Sequence, residues 1–261
     1  MRKLTAAIFW PLIFTFSVVH ANISRADALA DFSGGLGDSS PNQFPGFSGQ
    51  GWSDGWQKFF SHRLEEAFSF EIEKDSSFEG GVDVLRVTRN EDDGGFVRLS
   101  RILDSSETVL KAPQEVSFQI RVDEFTGSEN EPFRFSLSGI NQENAKTPGP
   151  GTSCWFLFAE LNQTWAIHHR GPDGELALLN TKIPVELGRI YSIKVHLQPA
   201  ENTFSITLKS DSQFHESPTL SSMDISGVAD MLAFGGWTHN NGPGKFRWSL
   251  GPVSVRNPSA N

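Results

Sequence analysis

The amino-acid sequence predicts an all-β protein built of two antiparallel sheets packed face to face. Three observations predict it. Short segments from Leu64 onward alternate apolar and polar residues with a period of two, which is typical of half-buried strands. Polar turns separate these segments, and no helical periodicity lies between them. Twenty-two phenylalanine residues supply large apolar side chains to fill the space between two sheets.

The N-terminal segment predicts export. Arg2 and Lys3 precede a mostly apolar run over 4–19, which is shorter than the about 20 residues of a typical membrane-spanning helix. Small residues then stand at the last and third-last positions before a cut after Ala21, as signal peptidase prefers. We therefore expect residues 1–21 to be a cleaved signal peptide.

An uncleaved anchor is the alternative, because Trp10 and Pro11 are unusual in the apolar part of a signal peptide. Both interpretations place residues 22–261 outside the cytoplasm, as a secreted protein or one of a bacterial periplasm or cell envelope. Cys154 is the only cysteine, so no intramolecular disulfide forms. Its apolar surroundings in the sequence predict a buried thiol.

Residues 22–261 have the length of one β-sandwich domain. The first part, 22–57, is rich in Gly, Ser, Asp and Pro, and it predicts an edge strand followed by a long surface loop. Loss of the first 21 residues changes the formal net charge from −9 to −11, because that segment holds two basic and no acidic residues. Nucleic acid and anionic lipid are therefore excluded as partners. With no second apolar stretch, we also expect no membrane attachment after signal cleavage.

Alternation is clearest over 116–122, where four apolar residues are expected to face inward and the polar residues between them outward. Only 221–231 has the pattern of a short helix. The predicted strands are 67–73, 82–88, 96–102, 116–122, 133–137, 154–161, 164–169, 176–180, 190–197, 203–209, 231–235 and 246–256.

Three parts of the sequence carry a family resemblance. Residues 44–56 contain Gly-Trp-Ser-Asp-Gly-Trp, residues 186–208 read as two strands joined by a Pro-Ala-Glu-Asn turn, and 234–255 read as a closing pair of strands. Together they resemble LamG-like domains of the concanavalin A-like lectin/glucanase superfamily. The resemblance implies a two-sheet antiparallel jelly-roll sandwich. It does not imply one activity, because that superfamily includes lectins, glycan-binding modules, glucanases and polysaccharide lyases.

Glu71, Glu73 and Asp75 share one face of a predicted strand, because positions two apart point the same way. Retaining glucanases of the resembled superfamily use Glu-x-Asp-x-Glu, whose outer carboxylates act as nucleophile and acid/base. Here the order is Glu, Glu, Asp, and no tryptophan lies nearby. A solvated strand face is therefore the favoured interpretation, with a hydrolase that uses Glu71 and Asp75 as the alternative.

A polysaccharide lyase is the second enzyme class implied by the resemblance. Such lyases carry Gln-x-His, an arginine that neutralises the substrate carboxylate and a proton-exchanging tyrosine. This chain offers Gln119, Arg121, Arg134 and Tyr191 but no histidine at the expected place. Without that titratable group, the sequence contains no complete catalytic set.

Carbohydrate binding needs only an aromatic face for the apolar side of a sugar ring and a few fixed hydrogen-bonding groups. The adjacent predicted strands 154–161 and 164–169 carry aromatic and imidazole side chains, and the segment 237–241 presents others in a Gly-rich loop. Trp155 is more typical of the core, and Trp52 and Trp56 of residues that hold the opening loop to the sandwich. The candidate sugar-binding residues are Trp165, His168, His169, Arg121, Trp237, His239 and Asn240.

Metal binding has the least support. The segment 90–93 groups four oxygen-bearing side chains, as calcium prefers, but the same residues are typical of a hairpin turn. We expect no cofactor. The leading hypothesis is a secreted, non-catalytic, carbohydrate-binding module whose partner is a polysaccharide or other glycan. The alternatives are the glucanase-type hydrolase and a structural or adhesive envelope domain. The sequence defines neither the sugar nor the oligomeric state.

Overall fold

A computed structural model describes residues 28–32, 43–44, 51–53, 55–61, 65–90, 95–104, 111–144, 149–239 and 242–258. The predicted signal peptide, 1–21, lies outside the described residues. In the described residues no helix is both long and apolar enough to span a bilayer.

Strands dominate the described part of the chain. In chain order they are β1 (Ala28–Ala30), β2 (Gln43–Phe44), β3 (Trp56–Phe60), β4 (Phe68–Asp75), β5 (Val82–Arg89), β6 (Phe96–Ile102), β7 (Gln114–Phe125), β8 (Phe133–Ile140), β9 (Ser153–Glu160), β10 (Thr164–Arg170), β11 (Leu176–Pro184), β12 (Ile190–Gln198), β13 (Thr203–Ser210), β14 (Gln213–Glu216), β15 (Leu220–Ser221), β16 (Met231–Thr238), β17 (Phe246–Leu250) and β18 (Val253–Arg256). Short 3-10 turns occur at Glu65–Ala67, Gln142–Asn144, Pro150–Thr152 and Pro199–Glu201.

The strands form two antiparallel sheets. Sheet A has the order β2-β3-β6-β16-β8-β9-β10-β11. Sheet B has the order β4-β5-β17-β7-β12-β13-β14, with β18 beside the first part of β7 and β1 beside β18. At the rim, β15 pairs with both β10 and β13 and so joins the sheets. This arrangement confirms the predicted two-sheet antiparallel jelly-roll sandwich.

The core lies between the two sheets. Val116, Phe118, Ile120 and Val122 are each 4% exposed or less, which confirms the alternation predicted for β7. Five tryptophans of the described residues are buried with them, namely Trp52, Trp56, Trp155, Trp165 and Trp248. Because burying each aromatic side chain removes about 150 to 250 Å² of surface from water, these rings supply much of the driving force for closing the sandwich.

The described parts of the opening segment lie against the sandwich. Within it, β1 pairs with β18 at an edge of sheet B, and β2 and β3 begin sheet A. Trp52 and Trp56 are buried, and the guanidinium of Arg101 lies over both rings, 4.9 and 5.6 Å from their centroids. The predicted burial of Cys154 is also confirmed.

Two predicted elements differ from the structure. The strand predicted over 246–256 is divided into β17 and β18 at Gly251-Pro252, because proline has no N–H for the ladder. The short helix predicted over 221–231 is absent. There the Asp224 carboxylate accepts a hydrogen bond from the Ser226 N–H at 2.8 Å, and Gly227 adopts a φ of 64°, so the chain turns instead of coiling.

Candidate functional site

An open cleft of about 600 Å³ lies on the outer face of sheet A. Its floor is formed by small residues on the two central strands, β8 and β16. Ser138 is paired with Ala233, and Ser136 with Gly235. A Cβ added at Gly235 would lie 3.2 Å from the Ser136 hydroxyl oxygen, a close contact that the serine side chain would have to relieve by a small shift.

Aromatic side chains on the flanking strands form the walls. On one side Phe59 of β3 lies 5.6 Å from Phe96 of β6, measured between ring centroids. On the other side Phe158 of β9 lies 6.1 Å from Trp237 of β16, and Phe156 lines the same wall. Because large rings flank a floor of small residues, the outer face of sheet A is hollow at this point.

Arg98 of β6 lies in the wall formed by Phe59 and Phe96. Its guanidinium lies over the Phe59 ring, 4.8 Å from the centroid. The Nε atom is buried, and within the described residues Arg98 has neither a hydrogen-bond acceptor nor a carboxylate partner. Burial lowers the pKa of Arg98 from its usual value. An arginine nevertheless stays protonated near neutral pH, so the wall carries a positive charge.

His168 lies on β10 beside the opposite wall. Its ring makes edge contacts with Phe156 and Phe158, with centroid distances of 5.3 and 6.1 Å. Burial lowers its pKa, and the neighbouring His169 lowers it further. The imidazole is therefore neutral at pH 7 and offers one donor and one acceptor. Its Nδ1 is buried without a hydrogen-bond partner among the described residues.

Arg134, on the same outer face of sheet A, forms an ion pair with a carboxylate. It lies on β8 next to Trp237 of β16 and pairs with Glu160 of β9 at 2.5 Å. The guanidinium is 5.8 Å from the Phe158 ring centroid. Its charge is therefore balanced by a carboxylate, whereas no carboxylate in the described ranges balances that of Arg98.

The candidate residues predicted from the sequence are divided between different parts of the structure. Of the candidates among the described residues, only His168 and Trp237 line the cleft. Trp165 is 1% exposed and points into the core, where it meets the Tyr191 ring at 5.2 Å, so it does not reach the cleft. His169 faces away from His168 along β10, and its Nδ1 lies 3.1 Å from the Arg170 carbonyl oxygen.

The remaining candidates lie elsewhere or outside the described residues. Arg121 is on β7 of sheet B, so the core separates it from the cleft. His239 follows β16 and is half-buried, with its Nδ1 shielded from water. Asn240 lies outside the described residues. Of the segment considered for calcium, 90–93, the residues 91–93 also lie outside them, and within the described ranges no three His, Cys, Asp or Glu side chains are grouped as a metal site.

Sheet B carries a charge network on its own outer face. Arg121 pairs with Asp75 at 2.6 Å and also with Asp123. Burial alone would raise the pKa of Asp75, but hydrogen bonds from Ser77 and Arg121 outweigh it and lower the pKa to about 2. A carboxyl group with so low a pKa is ionised near neutral pH, so Asp75 cannot serve there as the proton-donating acid of a hydrolase. This arrangement favours the solvated-face interpretation of Glu71 and Asp75 over the hydrolase.

The Asp75 ion pair predicts a pH-dependent stability. Its pKa rises from about 2 in the folded chain towards the ordinary 3.8 on unfolding, so its contribution is complete above pH 3.8 and is lost as pH falls through 2. We expect Asp75→Asn to lower the urea midpoint at pH 7 and to differ less from the unaltered chain at pH 2.5. The exposed Glu71→Gln on the same strand is the control. A difference that stays constant with pH would contradict the assignment.

The residues that a lyase would need are not gathered at one place. The Tyr191 hydroxyl is buried, donates to the Pro184 carbonyl oxygen and accepts from the Glu186 N–H, both at 2.8 Å. Burial raises its pKa to about 12. Gln119 donates to the Ser192 hydroxyl on sheet B, at 2.9 Å. Arg134 lies on sheet A, on the other side of the sandwich.

Comparison with known proteins yields similar folds and no family. No family model matches the chain, and no curated protein matches it. The alginate lyase from Klebsiella pneumoniae is similar at 12% identity and a TM-score of 0.46, over 75% of this chain and 96% of that one. Lectin II from Ulex europaeus is similar at 12% identity and a TM-score of 0.38, over 75% and 97%.

The binding domain of botulinum neurotoxin DC in complex with rat synaptotagmin II is similar at 9% identity and a TM-score of 0.44, over 78% of this chain and 44% of that one. This chain thus spans less than half the length of the neurotoxin structure. Similarity at these scores does not identify a function.

Proposed function

We propose that this chain is an exported, non-catalytic carbohydrate-binding module and that its site is the cleft on sheet A. The proposal rests on one observation. Aromatic walls and polar side chains without hydrogen-bond partners among the described residues line the same open cleft. The LamG-like resemblance of 44–56, 186–208 and 234–255 and the signal peptide over 1–21 are parts of this proposal.

The walls suit the apolar faces of sugar rings. A sugar presents C–H groups on one face and hydroxyls at its edge, so it is bound by an aromatic ring together with nearby donors and acceptors. Phe158 and Trp237 supply the rings. The Ser136 and Ser138 hydroxyls line the floor, and neither has a hydrogen-bond partner in the described part of the chain. The neutral His168 also lines the cleft, and because its Nδ1 is buried, it is the Nε2 that is offered to a sugar hydroxyl.

The size and openness of the cleft suit a chain better than a single buried ligand. A volume of about 600 Å³ falls within the range of ligand sites. From Arg98 on β6 to His168 on β10 there are four strand spacings, which is about 19 Å. A cleft of that length crosses the sheet, as an extended oligosaccharide would require.

The test is binding to a glycan array, followed by a steric block of the cleft. Ser136→Trp places an indole on the floor, and we expect it to weaken binding at least tenfold. Ser192→Trp adds the same bulk to the outer face of sheet B, and we expect it to bind as the unaltered chain does. Circular dichroism checks that both variants fold.

Other outcomes would favour the alternatives. Release of reducing ends from a polysaccharide, abolished by Glu71→Gln, would support the hydrolase. Binding to no glycan, with Ser136→Trp and Ser192→Trp indistinguishable, would leave the structural or adhesive domain as the better account.

A further inference from the structure

The cleft has a positive charge, and no carboxylate among the described residues lines it. Arg98 is the arginine of its wall, and none of the described lining residues is acidic. The lining is otherwise made of Phe, Trp, Ser, Gly, Ala, Pro and the neutral His168. The nearby Arg134, in contrast, is paired with Glu160.

Partial burial of a guanidinium without a carboxylate partner raises the free energy of the free protein. The Arg98 Nε–H is buried and lacks an acceptor in the described part of the chain, while the guanidinium carbon lies 4.8 Å from the Phe59 ring centroid. Buried polar groups are normally hydrogen-bonded, and the exceptions call for an explanation. Arg98 lines the cleft, so a ligand there can supply acceptors to the terminal nitrogens of a guanidinium that has no carboxylate partner among the described residues.

We propose that the glycan bound in the cleft is acidic and that Arg98 binds its carboxylate or sulfate group. This inference rests on the proposed function of the cleft. Guanidinium binds carboxylate oxygens through pairs of parallel N–H bonds, and it binds other oxyanions by the same donors. The acidic group lies at the β3/β6 end of the cleft, and neutral sugar hydroxyls lie towards His168.

The overall charge of the chain does not oppose this assignment. The formal net charge is −9, which repels polyanions at long range. Charges separated by more than about 8 Å are largely screened at physiological salt, so the field inside the cleft is set by its own residues. Those described are neutral except for Arg98. The negative net charge instead favours ligands with spaced acidic groups over densely charged polymers such as nucleic acid.

The test compares acidic oligosaccharides with their neutralised derivatives. Oligogalacturonate and oligoalginate are each paired with the methyl ester, and a sulfated galactan oligosaccharide with its desulfated form. Affinities of the full chain are measured by titration calorimetry at low and high salt. We expect an acidic member to bind at least tenfold more tightly than its neutral partner, with an advantage that falls as salt rises. The carboxylate and sulfate arms distinguish the two sources of charge.

Three variants separate this inference from the proposed function. Arg98→Gln is expected to lower affinity for the acidic member roughly 10- to 100-fold, and for the neutral member less than twofold. Arg98→Lys keeps the charge and is expected to retain part of the preference. Lys209→Gln removes the same charge from the outer face of sheet B and is expected to have no effect.

Equal binding of acidic and neutral members, or an equal loss of both in Arg98→Gln, would overturn the inference. If Ser136→Trp still abolished binding in that case, the proposed function would stand. Absence of binding by every member would overturn both.

Discussion

Trp237→Ala is expected to weaken glycan binding about 30-fold, which corresponds to about 2 kcal/mol, a loss typical of a central tryptophan in a binding site. The indole lines the cleft and lies 6.1 Å from the Phe158 ring, so it forms one continuous aromatic surface with that wall. Removal of the indole takes away the face against which a sugar ring packs. The measurement is titration calorimetry with the best ligand of the array.

The control for this prediction is an exposed aromatic residue on the other sheet. Phe214 of β14 is 63% exposed and lies on sheet B, so Phe214→Ala removes a similar apolar surface far from the cleft. We expect its affinity to match that of the unaltered chain. Equal losses in both variants would show that the aromatic content of the surface, and not the cleft, determines binding.

Trp165→Ala is expected to destabilise the fold by about 3 to 5 kcal/mol, as large-to-small substitutions of buried aromatic residues do. Trp165 is 1% exposed, and its ring packs against Tyr191 at 5.2 Å within the core. The neighbouring core residues are closely packed, so they cannot move far enough to fill the cavity that the indole leaves. Urea denaturation followed by circular dichroism gives the change in the free energy of unfolding.

Trp165→Phe keeps an aromatic ring and is expected to cost less than Trp165→Ala. Under conditions where Trp165→Phe is fully folded, its glycan affinity should equal that of the unaltered chain, because the residue does not reach the cleft. If a folded Trp165→Phe variant bound glycan tenfold more weakly, Trp165 would have to be part of the binding site, and its assignment to the core alone would be contradicted.

Much of the fold follows from local pattern. A strand with one buried face must alternate, so β7 is readable from 116–122 without any knowledge of its neighbours. The break at Gly251-Pro252 has a local cause too, since proline lacks an N–H. Which strands lie side by side is different. For example, β16 pairs with β6 and β8, more than 90 residues earlier in the chain, and no local pattern specifies that choice.

The site depends on those long-range pairings, and this is why only part of it was predicted. The floor combines Ser136 and Ser138 with Gly235, which meet only because β8 lies beside β16. Two signals in the sequence were nevertheless available. Trp165 and His168 are three positions apart on one strand and therefore face opposite ways.

The second signal is in β9. Phe156 and Phe158 alternate with apolar residues of the opposite face, so both sides of this strand are apolar. A strand at one face of a two-layer sandwich does not need a second apolar side for packing. The apolar outer side of β9 therefore indicates a second function for this strand, namely as a wall of the cleft.

A crystal structure of the chain with its best-binding oligosaccharide tests the central claim most directly. The account predicts sugar rings within about 4 Å of the Phe158 and Trp237 rings, on the outer face of sheet A. A ligand bound instead on sheet B, against Ser192 and Lys209, would contradict it.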